Sequence, residues 1–131
     1  MTLATVADEG PYCANLFYAW MEAEGAFAVT SSETTLHARQ VLANPKVAGS
    51  VVLETKVIGK LQGVQFRGEM YRPQGDDRKR VRKVYLERFP FAAVMDLELW
   101  VIRLTFAKLT DNRLGFGKKI IWNGETNAIT G

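Results

Sequence analysis

Apolar and polar residues alternate in short runs along most of the chain, and turn residues separate the runs at strand-like intervals. Leu3 to Ala7 predicts a short strand, Asp8-Glu9-Gly10-Pro11 a turn, and Tyr12 to Trp20 a second strand rich in aromatics, so the chain opens with a hairpin. Glu22-Ala23-Glu24-Gly25 is the next turn. Ala26 to Thr30 continues as a third strand and ends in the polar run Thr30-Ser31-Ser32. From Thr34 the period changes. Leu36, Arg39/Gln40 and Leu42/Ala43 follow helical spacing, which predicts a short helix with Ser32 or Thr34 as N-cap and a stop at Asn44-Pro45.

Val47 to Glu54 and Leu61 to Tyr71 return to strand pattern. In the second of these, Val64, Phe66 and Gly68 share one face while Gln65, Arg67 and Glu69 share the other, so one side is expected to meet water. Asp76 to Arg88 reads as a basic helix with apolar positions Val81, Val84, Tyr85 and Leu86, ending at Phe89-Pro90. Leu97 to Phe106 is a strand whose alternation does not sort cleanly into two faces, which predicts burial on both faces or a bulge. Thr110-Asp111-Asn112 and Gly115-Phe116-Gly117-Lys118-Lys119 read as a turn-rich loop before the apolar run Ile120-Ile121-Trp122. The fold class expected from this order is mainly β with short helices, an antiparallel barrel interrupted by helical inserts.

Composition narrows the picture. At 131 residues and 47% hydrophobic content the chain is expected to fold as one domain, residues 1–131, around one core. Asp8, Glu22, Glu24 and Glu33 break the richest apolar stretch, so no run approaches the ~18 residues of a membrane span. The first residues carry no basic segment ahead of an apolar one, so they do not read as a signal peptide, and a cytoplasmic location is expected. The single cysteine, Cys13, cannot form an internal disulfide and is expected to be a small buried side chain; with His37 as the one histidine, no structural zinc site is expected. The formal charge of +3 is uneven, because Arg78, Lys79, Arg80, Arg82, Lys83 and Arg88 crowd one helix. Asp76, Asp77 and Glu87 share that helix and no aromatic stacking set is interleaved with its cations, which argues against nucleic acid as a partner. Neither a nucleophile-elbow serine, a phosphate loop, a dinucleotide-binding glycine pattern nor a metal-binding histidine pair occurs.

The segment Phe27-Ala28-Val29-Thr30-Ser31-Ser32, followed by Leu36-His37-Ala38-Arg39 and Leu42-Ala43-Asn44-Pro45-Lys46-Val47-Ala48, resembles the strand, polar turn and short helix of the pyridoxamine 5′-phosphate oxidase-like FMN-binding split barrels. Gly63-Val64-Gln65-Phe66-Arg67-Gly68-Glu69 and the Gly115-to-Lys119 tail look like the bacterial YhbP-type subgroup. The resemblance implies an antiparallel split β-barrel that forms a homodimer, with FMN sites at the subunit interface. Phe17, Tyr18, Trp20 and Trp100 would form the paired apolar face. The resemblance implies that the turn and a basic position on the short helix hold the phosphate. Position by position, the turn falls on Thr30 and Ser31, the basic helix position on His37, and the family's arginine of the second strand on Asn15. The chain also departs from its relatives at the start, where they carry a helix and Met1 lies almost on the first strand.

Each of these residues has a chemical reason to be there. Thr30 and Ser31 offer hydroxyls beside a helix N-terminus, and a phosphate beside His37 would keep its ring protonated. Lys118 and Lys119, on a glycine-flanked tail, would restore the charge lost at Asn15 and His37. Phe17 and Trp122 offer faces to an isoalloxazine ring, and Gln65 a hydrogen bond to its edge or to the phosphate. The reading is an FMN-binding protein whose chemistry would be that of a flavin-dependent oxidoreductase, since an absent acid–base pair does not count against a cofactor enzyme. The alternative is a binding module without turnover that holds flavin, haem or another planar ligand.

Overall fold

The first hairpin forms where Asp8 and Glu9 turn the chain. A computed structural model describes all residues, Met1–Gly131, and shows β1 (Thr2–Ala7) antiparallel to β2 (Gly10–Asn15), with Gly10 at φ 103° closing the turn. The predicted second strand is two. It breaks at Leu16-Phe17 and resumes as β3 (Tyr18–Met21), because the Leu16 N–H and C=O are taken by the backbone of Met1 at 3.0 and 2.9 Å, which turns the chain at a barrel corner. After Gly25, left-handed at φ 59°, β4 (Ala26–Thr30) returns along β3.

Helix α1 (Leu36–Ala43) ends at Asn44 as expected, but its N-cap is Thr35, whose hydroxyl accepts the Ala38 N–H at 3.4 Å, rather than Ser32 or Thr34. Strands β5 (Lys46–Leu53), β6 (Gln62–Tyr71) and β7 (Leu99–Asp111) follow, with α2 (Gly75–Arg88) between the last two. β7 continues five residues past the predicted end, to Asp111, and the tail adds β8 (Lys119–Asn123) and β9 (Ala128–Thr130). All nine strands join one antiparallel sheet in the order β2-β1-β5-β6-β7-β4-β3, with β8 also on β7 and β9 on β8. No helix is long and apolar enough to cross a membrane.

Both alternatives expected for β7 are present. Leu99 to Ile102 are buried on both faces, and the pairing slips between Arg67↔Phe106 and Gly68↔Leu104, leaving Thr105 as the extra residue of a bulge. A Cβ on Gly68 would lie 2.4 Å from the Arg103 carbonyl oxygen, so the bulge requires glycine there. Inside the barrel, Leu3, Phe27, Val29, Val47, Phe66, Met70, Trp100, Ile102 and Leu104 pack together, and α1 closes one end through Ala38 and Val41. A second cluster forms where Val81 and Tyr85 of α2 cover Ala19, Met21, Ala26, Ala28, Leu99 and Val101 on the outer face of β3, β4 and β7. Full burial of Val81 alone stabilises by roughly 1.5–3 kcal/mol.

Two further expectations are corrected. Cys13 is exposed, because β2 is an edge strand with nothing packed on that side. Trp100 is fully buried, its indole N–H donating to the Ser31 carbonyl at 2.8 Å, so it belongs to the barrel core and not to an exposed apolar face.

Candidate functional site

The sequence-predicted residues fall in three places. The first is the turn between β4 and α1. Thr30 and Ser31 are consecutive in extended backbone and point to opposite faces: the Thr30 hydroxyl is 3.1 Å from the Tyr85 hydroxyl under α2, whereas Ser31 faces α1. There Ser31 Oγ is 2.5 Å from His37 Nε2 and 3.2 Å from Thr35 Oγ1, and Thr35 Oγ1 is 3.3 Å from the same imidazole nitrogen. His37 is buried, and that burial pushes its pKa below the ordinary histidine value. Glu98 accepts the Glu33 N–H at 2.9 Å, and Arg72 pairs with both Glu33 and Glu98. The turn therefore closes on itself: its hydroxyls and ring serve one another and carboxylates stand beside it. A phosphate here would have to displace these bonds.

The second place is a cleft. Met1, Thr2, Asn15, Leu16, Phe17, Tyr18, Ser50, Val51 and Val52 surround about 470 Å³ where β1, β5 and the broken corner between β2 and β3 meet. That volume is inside the roughly 300–1,000 Å³ range of small-molecule sites. Thr2 pairs with Asn15 on one side and Ser50 on the other, so register places these three polar side chains in a row on the outer face. Phe17 is 71% exposed and Val52 69%, an unusual degree for such apolar groups beside a concavity. No side chain in the lining carries a charge. At the rim, the Arg88 guanidinium lies 4.5 Å from the centre of the Tyr18 ring, and Phe89 stacks edge-on to Phe17 at 5.6 Å. Burial, with the Arg88 charge adding to it, lowers the pKa of the Met1 amine.

The third place adjoins the cleft. A hollow of about 210 Å³ shares Ser50, Val51 and Val52 with it and extends across Gly63 and Gln65 to Thr110. The same row that runs from Asn15 through Thr2 and Ser50 continues to Gln65 and Lys108. A parallel row runs Val52, Gly63, Thr110, Lys119. Lys119 thus shares the outer face with Gln65, and Lys118 precedes it in an exposed turn whose Gly115 and Gly117 have φ of 132° and 70°. Trp122 lies on the opposite face, paired with Ala107 and packed toward the barrel core, with its indole N–H donating to Asn127 at 3.1 Å.

The structure thus brings Asn15 and Phe17 into one cleft, sets Gln65 in the adjoining hollow with Lys119 farther along the same face, and keeps Ser31 and His37 in a separate network. Thr30 touches the cleft only indirectly, through Tyr85, Phe89 and Phe17 in contact. Thr2, Ser50, Val51, Val52 and Arg88 were missed by sequence reasoning. Their common signal is cross-strand pairing, which alternation along one strand does not reveal.

An open antiparallel sheet curled around one core, with one helix plugging its end and another on its outer face, is the split β-barrel fold of pyridoxamine 5′-phosphate oxidase-like proteins. The chain belongs to the UPF0306 YhbP family. It is 39% identical to a UPF0306 protein of Klebsiella pneumoniae (strain 342) over 128 residues, covering 98% of this chain and 87% of that protein. It is 43% identical to UPF0306 protein YhbP of Salmonella arizonae over 124 residues, covering 94% and 84%. No family model matches the chain. Among solved structures it is similar to a haem-binding protein from Mycobacterium smegmatis, with a TM-score of 0.78, 24% identity and coverage of 96% of this chain but only 53% of that protein. A haem storage protein from Vibrio cholerae, HutZ, gives a TM-score of 0.63 at 22% identity, with 79% of each chain covered. A pyridoxamine 5′-phosphate oxidase-related, FMN-binding protein from Nostoc punctiforme gives 0.67 at 10% identity, covering 98% and 83%. At such identities the likeness carries the fold alone.

Proposed function

We propose that this chain is a cytoplasmic homodimer that binds FMN in the cleft between the Asn15–Tyr18 corner and Ser50–Val52. The carrying observation is the cleft itself: an exposed aromatic face at Phe17, aliphatic walls at Val51 and Val52, a row of neutral hydrogen-bonding groups at Asn15, Thr2 and Ser50, and no charged side chain in the lining. A flat ring with polar edges has complementary chemistry. Bound FMN would supply electron transfer, and the chain's own part would be binding, orientation and control of access, which supports reading it as a flavin-dependent oxidoreductase. A second copy is the fitting cover for the exposed Phe17 and Val52 of the cleft and for Leu61, which lines the adjoining hollow with Val52.

The second reading, a binding module for haem, is favoured by the haem proteins that share the fold. The position of His37 weighs against it. The lone histidine is buried with Nε2 against Ser31, so it offers no ready axial ligand to an iron, whereas flavin needs none. The visible spectrum of purified protein, followed by titration with FMN and with haem, separates the readings. Flavin bands and saturable FMN binding are expected, whereas a Soret band without FMN binding would establish the haem module. Sedimentation at micromolar concentration is expected to show a dimer, and a monomer alone would overturn the interface.

A further inference from the structure

The sequence lacks a cation at both positions where the related oxidases would hold a phosphate, and the turn that would receive one is closed by its own hydrogen bonds. The rim of the cleft supplies a different cation. Arg88, the last residue of α2, lies with its guanidinium 4.5 Å from the Tyr18 ring centre and 5.4 Å from that of Phe89. These faces hold the planar head by cation–π attraction and leave its N–H edge free. The carboxylates of the same helix are occupied elsewhere: Asp76 pairs with Lys79, Asp77 with Arg80, and Glu87 with Lys83. Arg88 itself takes part in none of the ion pairs. It therefore combines a fixed position, an unpaired charge and a place beside a cleft whose lining contains no carboxylate to repel an anion.

We propose that Arg88 holds the anionic group of a planar ligand whose ring lies against Phe17 and Tyr18. The inference rests on the planar-ligand reading of the cleft and adds its specificity: a ring that carries a phosphate or carboxylate is selected over the same ring without one. Guanidinium geometry suits both a phosphate and a propionate, so the source of the anion is settled by pairs of ligands that differ only in that group.

The test measures FMN against riboflavin, and haem against its dimethyl ester, on the wild-type protein and on Arg88→Met and Arg88→Lys. Flavin fluorescence and haem absorbance report binding. The wild type is expected to prefer FMN over riboflavin by tenfold or more. In Arg88→Met that preference is expected to fall by fivefold or more with riboflavin affinity unchanged, and Arg88→Lys to retain part of it. A preference confined to the haem pair would assign the anion to a propionate and keep Arg88 in its role. If the wild type does not discriminate, or Arg88→Met keeps the discrimination, Arg88 does not hold the anion and the cleft reading stands without it. If the wild type binds none of the four ligands, the planar-ligand reading fails and the assignment of Arg88 fails with it.

Discussion

Ser31 Oγ lies 2.5 Å from Nε2 of His37, across six residues of sequence that turn from β4 into α1. The two groups share one hydrogen bond whose direction follows the ring's tautomer, and burial favours the neutral ring by lowering its pKa. The resemblance to the oxidases suggests the reverse, a ring held protonated by a bound phosphate. A geometry that buries the ring against two hydroxyls removes the motive for that charge.

His37 is therefore expected to titrate below 6.5 in the folded protein, with proton NMR of its ring as the measurement. The unfolded chain binds the proton more readily, so the stability linked to this residue is fully present above about pH 6.5 and is lost as pH falls through the lower folded-state value. Denaturant melts between pH 7.5 and 5 are expected to show the decline, and His37→Ala to flatten it. A stability rising toward pH 5 would contradict the neutral ring.

Phe17 and Trp100 carry similar aromatic bulk in opposite settings, one 71% exposed and the other fully buried. Trp100→Ala is expected to destabilise by about 3–5 kcal/mol. Phe17→Ala loses mainly the edge contact with Phe89, about 0.5–1.5 kcal/mol, while flavin affinity falls by roughly tenfold, which corresponds to about 1.4 kcal/mol. Thermal melting and FMN titration on both variants check the split. A Phe17→Ala protein that keeps wild-type affinity would remove this face from the site.

How far the sequence carries can be judged at particular residues. The alternation of Val64, Phe66 and Gly68 against Gln65, Arg67 and Glu69 gave the two faces of β6, and Asn44-Pro45 gave the end of α1, because both signals are local. The break at Leu16-Phe17 was not legible. It depends on Met1 taking the Leu16 backbone groups, a pairing that no run of apolar residues announces. The cleft was hidden for the same reason, since Asn15 and Ser50 meet only through Thr2 between them. Arg88 read as one cation of a charged helix, and only the packing of that helix over β3 turned it toward Tyr18.

Gly68 holds the bulge that redirects β7, and any Cβ there meets the Arg103 carbonyl oxygen at 2.4 Å and Ile102 Cγ2 at 3.3 Å. The first contact is with backbone, which cannot rotate away. Gly68→Ala is accordingly expected to cost about 1–3 kcal/mol by overpacking, read as a lower denaturation midpoint with an unchanged slope. Gly59→Ala serves as the control, since nothing lies within 4 Å of its added Cβ and its φ is not left-handed, and near-wild-type stability is expected. Equal stability of the two variants would mean that the bulge does not depend on glycine.

Lys118 and Lys119 are exposed at the start of β8, and Lys119 pairs with Thr110, which borders the hollow beside the cleft. Three strand spacings separate Lys119 from Val52, roughly 14 Å, so its own cleft is beyond easy reach of the ammonium group. Only in a dimer that sets this face against the cleft of a second copy would Lys119 join Arg88 on the phosphate. Neither lysine forms an ion pair, and the turn that carries them is held by Asp111, whose carboxylate bonds Arg113 and whose N–H donates to the Lys118 carbonyl at 3.2 Å. Removing the side chains therefore leaves the turn's own bonds intact. The double variant Lys118→Ala, Lys119→Ala is expected to melt within about 0.5 kcal/mol of wild type. Its FMN affinity is expected to fall by about 1.5–3 kcal/mol for each charge-assisted bond lost. Flavin titration is paired with sedimentation of the same sample. Weaker binding by an intact dimer would place the lysines at the ligand, whereas unchanged affinity, or a loss that tracks dissociation of the dimer, would assign them to solvent or to the subunit contact.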